Sequence, residues 1–310
     1  MEKIIIGIHG LMNKPPKDLL SYWWQESIRE GLLKNCQIHD PEFNFDIVFW
    51  ADLLYKKRLH DDENFYFDSL YNPEPYTPAK PGALKPYRDG IWDQLQRHAL
   101  DVAGDAFDLL NFNFNLDSLV SLPLDQISFV RDLQFYYKNY PEILNRQGEL
   151  EPVQKVLRDD LKQVILAYQE QEIMLVAHSM GSIIAYDALR DLGQENPDAK
   201  VEHFVTIGTP LGLPYVKKQI IKERDYSPEV RTPSIVTQSW INYTDRRDPI
   251  ALDAHLSDDY SDNSRGIRVK DDLILNDYEN PLKPGTFNYH KSYGYLRAPE
   301  FSNYVKEFLN

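Results

Sequence analysis

The chain opens with an almost unbroken β-branched run, Lys3 to Ile8 (KIIIGI), of the kind a strand buried on both faces of a parallel sheet requires. The run stops at His9-Gly10. Beyond the Pro15-Pro16 turn, Leu20, Trp24, Ile28 and Leu32 recur every four residues and predict a helix of about four turns. Residues 45–52 (FDIVFWAD) predict a second strand, so the start reads as a βαβ unit with a right-handed crossover. The same rhythm returns after residue 150. Pro152 opens a helix over 152–169 with Val153, Val156, Leu161, Val164 and Tyr168 on one face. A buried strand follows at 172–177 (EIMLVA), and the helix that starts at Met180 is predicted to close at Gly193. Strands at 201–208, 234–244 and 267–275 and a last helix over 301–310 complete the pattern.

Residues 53–150 interrupt it. Pro73, Pro75, Pro78, Pro81 and Pro86 block regular structure in the first part. Ile91, Leu95, Val102, Ala106 and Leu110 then share one helical face, and after the Asn/Phe alternation NFNFNLDSLV another helix is expected over 123–138. An insertion this long between sheet elements reads as a lid or cap that screens a site and sets its selectivity. With no repeat, linker or low-complexity tract, the expected fold is α/β. It is a single domain over 1–310, with a mostly parallel central sheet, helices on both faces and a helical cap at 53–150.

Composition narrows the function. The 310 residues carry 34 Lys and Arg against 48 Asp and Glu, a net charge of -14. That balance argues against a nucleic-acid partner, which needs clustered cations. Cys36 is alone, so neither an intramolecular disulfide nor a cysteine zinc cluster can form. No apolar stretch approaches the roughly 18 residues of a membrane helix, and IIIGI is too short for a signal segment. A cytoplasmic protein is therefore expected, with peripheral membrane contact left open. No H-E-x-x-H, EF-hand, Walker A or G-x-G-x-x-G string occurs, and Asp61-Asp62-Glu63 and Asp258-Asp259 read as solvated loops. Neither a metal nor a cofactor is expected.

One segment carries chemistry. Ala177-His178-Ser179-Met180-Gly181, between a predicted strand and a predicted helix, is a nucleophile elbow with Ala in the first small position. Small residues two before and two after the serine let strand and helix converge, and the helix N-terminus beneath the hydroxyl favours negative charge.

HSMGSIIAYDAL resembles the elbow of α/β-hydrolase lipases and esterases, including intracellular phospholipases and inositol-deacylase-like members. Other segments fall in the same order. His9-Gly10-Leu11 resembles the oxyanion-loop motif, TIGTPLG (206–212) a strand-end signature of those lipases, and SWINYTDRRDPI (239–250) their strand and Asp-Pro turn. His290 precedes the last helix, as the catalytic histidine does in that fold. The resemblance implies a fold entered at its third strand, without the usual first two. It also implies a serine carboxylester hydrolase acting on a small-molecule or lipid ester, with Ser179 as nucleophile, His290 as base and Asp248 as its orienting acid. The backbone N–H groups of Leu11 and Met180 would form the oxyanion hole.

Each assignment has a competitor. Asp245 is the next candidate acid and Asp253 a third, and His255 is the other candidate base. His9 and His178 read as loop-positioning residues. Trp24 belongs to the helix stripe, while its neighbour Trp23 faces either the site mouth or the core. Asn13 is a turn residue or a substrate contact. A binding protein built on a broken triad, an acyltransferase and a thioesterase remain alternatives.

Overall fold

The computed structural model describes residues 2–55, 75–88, 133, 135–137, 142–223 and 229–310. The Ile-rich run forms β1 (Lys3–Ile8), followed by α1 (Lys17–Cys36), β2 (Asn44–Val48) and the short α2 (Ala51–Leu54). A hairpin of β3 (Glu142–Leu144) and β4 (Leu150–Pro152) leads into α3 (Val153–Ala167), β5 (Glu172–His178), α4 (Met180–Glu195), β6 (Val201–Ile207) and α5 (Pro214–Glu223). Then come β7 (Val230–Arg231), β8 (Val236–Thr244), α6 (Leu256–Asp259), β9 (Tyr260–Ser261), β10 (Val269–Leu273), α7 (Ser292–Leu296) and α8 (Pro299–Leu309).

Six strands form one sheet in the order β10-β8-β6-β5-β1-β2, and every pairing is parallel. Strand alternation sorts the side chains to two faces. Ile4, Ile6, Ile8, Leu175 and Ala177 pack with α3 and α4, whereas Ile5, Met174 and Val176 pack with α1 and α8. Both faces are thereby covered, which is why β1 and β5 read as continuous apolar runs. This is the predicted α/β architecture with helices on both sides. From β1 the chain moves to one side to make β2, and from β5 it moves to the other to make β6, β8 and β10. The reversal leaves a crevice at the C-terminal ends of β1 and β5, where open α/β sheets bind ligands.

Two local expectations are corrected. The strand predicted over 45–52 ends at Val48 because Trp50 is used elsewhere: its backbone N–H donates to His9 Nε2 (3.3 Å) and its indole N–H to the His9 carbonyl (3.0 Å). Gly193 does not close α4 but lies inside it, where a Cβ would come within 2.5 Å of Ser234 Oγ. That glycine serves close packing, not a cap. Of the two placements open to Trp23, the core is the one observed: it is as buried as Trp24, at 1 % exposure. The β3–β4 hairpin, α5 and the β7–β9 pair were not foreseen.

The stripe Ile91, Leu95, Val102, Ala106 and Leu110, the Asn/Phe tract and Asp61 to Glu63 lie outside the described residues. Of the helix expected over 123–138, residues 133 and 135–137 are helical. Residues 75–88 contain no helix or strand, as their prolines dictate. These described pieces dock on opposite faces of the sheet. Tyr76 packs on the α1 face, where its hydroxyl donates to Glu30 (3.0 Å), the Ala79 N–H donates to the same carboxylate (2.8 Å), and Arg297 donates to the Thr77 carbonyl (2.7 Å). Tyr136 belongs to the α3–α4 face, donating to Asp187 (2.9 Å) and accepting from Arg158 (2.9 Å).

Arg297 is 1 % exposed and binds Asp277 (2.8 Å) and Glu30 (3.2 Å) as well as Thr77. Replacing it by Met takes the cation from buried Asp277 and leaves Glu30 with only Tyr76, the Ala79 N–H and Lys34. Arg297→Met is expected to destabilise the fold by about 3–5 kcal/mol, read as a lower urea midpoint. No described helix is long and apolar enough to cross a membrane.

Candidate active site

At the C-terminal end of β5 the chain turns through Ser179 at φ 55° and ψ −130°, a conformation that L side chains rarely adopt and that costs about 1–3 kcal/mol. The neighbours hold it there. The Ser179 N–H donates to the Ile207 carbonyl of β6 (3.2 Å). A Cβ on Gly181 would lie 2.6 Å from the His9 carbonyl oxygen, and one on Gly10 would lie 2.6 Å from Ser179 Cβ. The two glycines let the loop after β1 close directly against the turn after β5.

His290, before α7, reaches the same place. Ser179 Oγ donates to its Nε2 (2.9 Å), and its Nδ1–H donates to both oxygens of Asp248 (2.9 Å each). Asp248 stands in the turn after β8, 2 % exposed, and its Oδ1 also accepts the N–H groups of Ile250 (2.9 Å) and Ala251 (3.3 Å). An acceptor on Nδ1 leaves Nε2 free to take a proton. Met180 is the first residue of α4, so its N–H has no acceptor within the helix and sits beside Ser179, as does the loop bearing Leu11.

The competing residues are placed elsewhere. Asp245 is buried too, but its carboxylate accepts Arg247 Nε (2.9 Å), Arg247 Nη2 (2.6 Å) and the Asn276 N–H (2.6 Å). It fastens the turn. Burial pushes Asp253 up to about 6, and a Cβ on Gly212 would lie 2.5 Å from its Cβ. His255 is exposed, with its backbone N–H donated to Asp253. Asn13 lines a separate cavity of about 230 Å³ beside β2, shared with Asp52, Arg146 and Asp160. Asp259, expected to be solvated, pairs with Lys217 (2.5 Å).

The two other histidines position loops, as the sequence suggests. His9 donates Nδ1–H to the Gly10 carbonyl (2.7 Å) and accepts the Trp50 N–H at Nε2, and burial takes its pKa down to about 3, so it stays neutral. His178 donates Nε2–H to the His290 carbonyl (2.8 Å), with the two rings 4.8 Å apart. Burial, then the nearby charge of His290, hold His178 well below its ordinary value.

Two supporting residues were missed. The Tyr295 hydroxyl donates to Asp248 Oδ2 (2.7 Å) and accepts the Asp245 N–H (3.1 Å), and burial pushes it well above its ordinary value, so it remains a donor. No motif marks it. Gly208, within the TIGTPLG segment, has φ +55°, and a Cβ there would lie 2.8 Å from Asp248 Oδ2 and 3.3 Å from His290 Nδ1. A hydrogen bond to a charged group contributes about 1.5–3 kcal/mol. Tyr295→Phe should accordingly lower kcat about tenfold to a hundredfold with little change in KM for a nitrophenyl ester.

Among the described residues no group of three or more His, Cys, Asp or Glu side chains could hold a metal ion. No curated protein matches the chain. The sequence model of one family, Lecithin:cholesterol acyltransferase, matches residues 155–220, the stretch from α3 into α5 that contains the Ser179 turn.

Proposed function

We infer that the chain is a serine hydrolase of carboxylic esters, lipase- or esterase-like, working through an acyl-enzyme. The observation that carries this reading is the unbroken path from Ser179 Oγ through His290 to Asp248, each link 2.9 Å, built on a strained turn at the sheet's switch point. Ser179 Oγ attacks the ester carbonyl carbon while His290 Nε2 takes its proton. The oxyanion accepts from the N–H groups of Leu11 and Met180. His290 then returns the proton to the departing alcohol oxygen, and the C–O bond breaks. Water repeats the sequence on the acyl-enzyme, freeing the acid and Ser179. Asp248 keeps Nδ1–H in place and stabilises the imidazolium, and no step calls for a metal or cofactor.

The 53–150 segment fits a cap over this site, within a single domain over 1–310. Its described parts are anchored on both faces of the sheet, by Tyr76 on one and Tyr136 on the other.

The acyltransferase family match favours a second reading, in which an alcohol replaces water in the last step. Product analysis separates the two. With a nitrophenyl ester and added alcohol, hydrolysis yields free acid at an unchanged share, whereas transfer yields a new ester that rises with alcohol concentration. Absence of both products from an enzyme that binds the ester would point to the binding-protein alternative.

A further inference from the structure

Leu11, whose N–H is one of the two oxyanion donors in the hydrolase reading, sits in a loop that turns sharply at the next residue. Met12 has φ 70°, a left-handed conformation that L side chains rarely adopt, and its side chain is 42 % exposed, so packing does not hold the turn. Hydrogen bonds do. His9 Nδ1–H donates to the Gly10 carbonyl (2.7 Å), which shares one planar trans peptide with the Leu11 N–H and so turns that N–H away from the His9 ring. The following peptide is tied from the far end of the loop, where the half-buried Lys14 ammonium donates to the Leu11 carbonyl. Leu11 is thereby fastened on both of its peptides. The loop stands against the nucleophile, since a Cβ on Gly10 would lie 3.2 Å from Ser179 Oγ.

We propose that Lys14 is the positioning residue of the oxyanion loop, its bond to the Leu11 carbonyl keeping the Leu11 N–H aimed at the oxygen on which negative charge develops. This role rests on the ester-hydrolase reading of Ser179. The His9 bond alone does not suffice, because it leaves the peptide between Leu11 and Met12 free to turn over. Such a flip takes Met12 out of its left-handed conformation, which is downhill, and swings Leu11 with it. A charged donor on the Leu11 carbonyl opposes the flip more strongly than a neutral one. The ammonium also brings its charge close to the site. Burial first, and then Lys14, take His9 down to about 3, and Lys14 acts on His178 too, after burial and His290. Lys17, three residues on, pairs instead with Asp46 (2.9 Å), so the two lysines separate position in the loop from charge on the chain.

The test compares Lys14→Met, Lys14→Gln, Lys14→Arg and Lys17→Met on nitrophenyl butyrate and on butyl trifluoromethyl ketone as inhibitor. With the ketone, Ser179 Oγ bonds to the carbonyl carbon, its proton passes to His290 Nε2, and the carbonyl oxygen becomes an oxyanion held by the same N–H groups. Lys14→Met should lower kcat for the ester about tenfold to a hundredfold, short of the roughly 10²- to 10³-fold for deleting an oxyanion donor, with KM nearly unchanged. The Ki of the ketone should rise by the same factor. Lys14→Arg, which keeps a charged donor, should stay within about threefold of the wild type, and Lys14→Gln should fall between the two. Lys17→Met, which removes the same charge, should match the wild type. If Lys14→Met does not fold, Lys14→Gln carries the test. Wild-type kcat and Ki in a folded Lys14→Met, a kcat loss without a change in Ki, or equal losses in Lys14→Met and Lys17→Met overturns the role of Lys14 alone. A wild type that neither turns over the ester nor is inhibited by the ketone overturns the hydrolase reading and the role of Lys14 with it.

Discussion

Ser179→Ala is expected to lower kcat for nitrophenyl esters by about 10³- to 10⁶-fold while leaving the fold intact, and His290→Ala should match it. The two losses are alike because the proposed nucleophile and base would act as one unit: without His290 Nε2 at 2.9 Å, the Ser179 proton has no acceptor, and without Oγ there is no bond to form. Folding should survive the serine change. Alanine removes one oxygen that contacts His290, while the Ser179 N–H to Ile207 bond and the close approach of Gly10 and Gly181 stay. The double variant should be no worse than either single one, and stepwise additive losses would mean that the two residues do not work together.

Asp248→Asn should cost about 10³- to 10⁴-fold in kcat. An amide presents one oxygen and one NH₂ where the carboxylate presents two acceptors. The amide oxygen can serve the Ile250 and Ala251 N–H groups or Nδ1–H, but the NH₂ then opposes the Tyr295 hydroxyl or the imidazole. The imidazole can satisfy that NH₂ only by placing its hydrogen on Nε2, which disables the base. Asp245→Asn should behave differently. Its partners are Arg247 and the Asn276 N–H, so the expected loss is in stability, about 1–3 kcal/mol, with kcat within roughly tenfold of wild type. Thermal melts beside kcat distinguish the two, and an Asp245→Asn enzyme that loses more kcat than Asp248→Asn would make Asp245 the acid.

The sheet was legible because its strands are buried on both faces, so β1 and β5 announce themselves as apolar runs without any partner being known. The flanking helices were legible for the same reason, through one stripe each. Elements that bury little were not. In α5 only Val216 and Ile220 are buried, too few to make a stripe, and β7 and β9 have two residues each, too short for any periodicity. Trp50 and Gly193 misled for a different reason. Their roles are set by residues distant in sequence, His9 for the tryptophan and Ser234 for the glycine. The site divides the same way. Ser179 lies in a local motif whose glycine the backbone geometry demands, whereas the tie from Tyr295 to Asp248 spans 47 positions and uses a residue type with many other uses.

In the proposed reaction Ser179 carries the acyl group between two half-reactions. Rapid acid quench of the enzyme with nitrophenyl butyrate, followed by intact and peptide mass spectrometry, would trap that acyl group. A butyryl adduct should form in the pre-steady-state burst, map to the peptide containing Ser179, and be absent from Ser179→Ala. Turnover of the ester with no adduct on Ser179, or with the adduct on another residue, would rule out Ser179 as the acyl carrier.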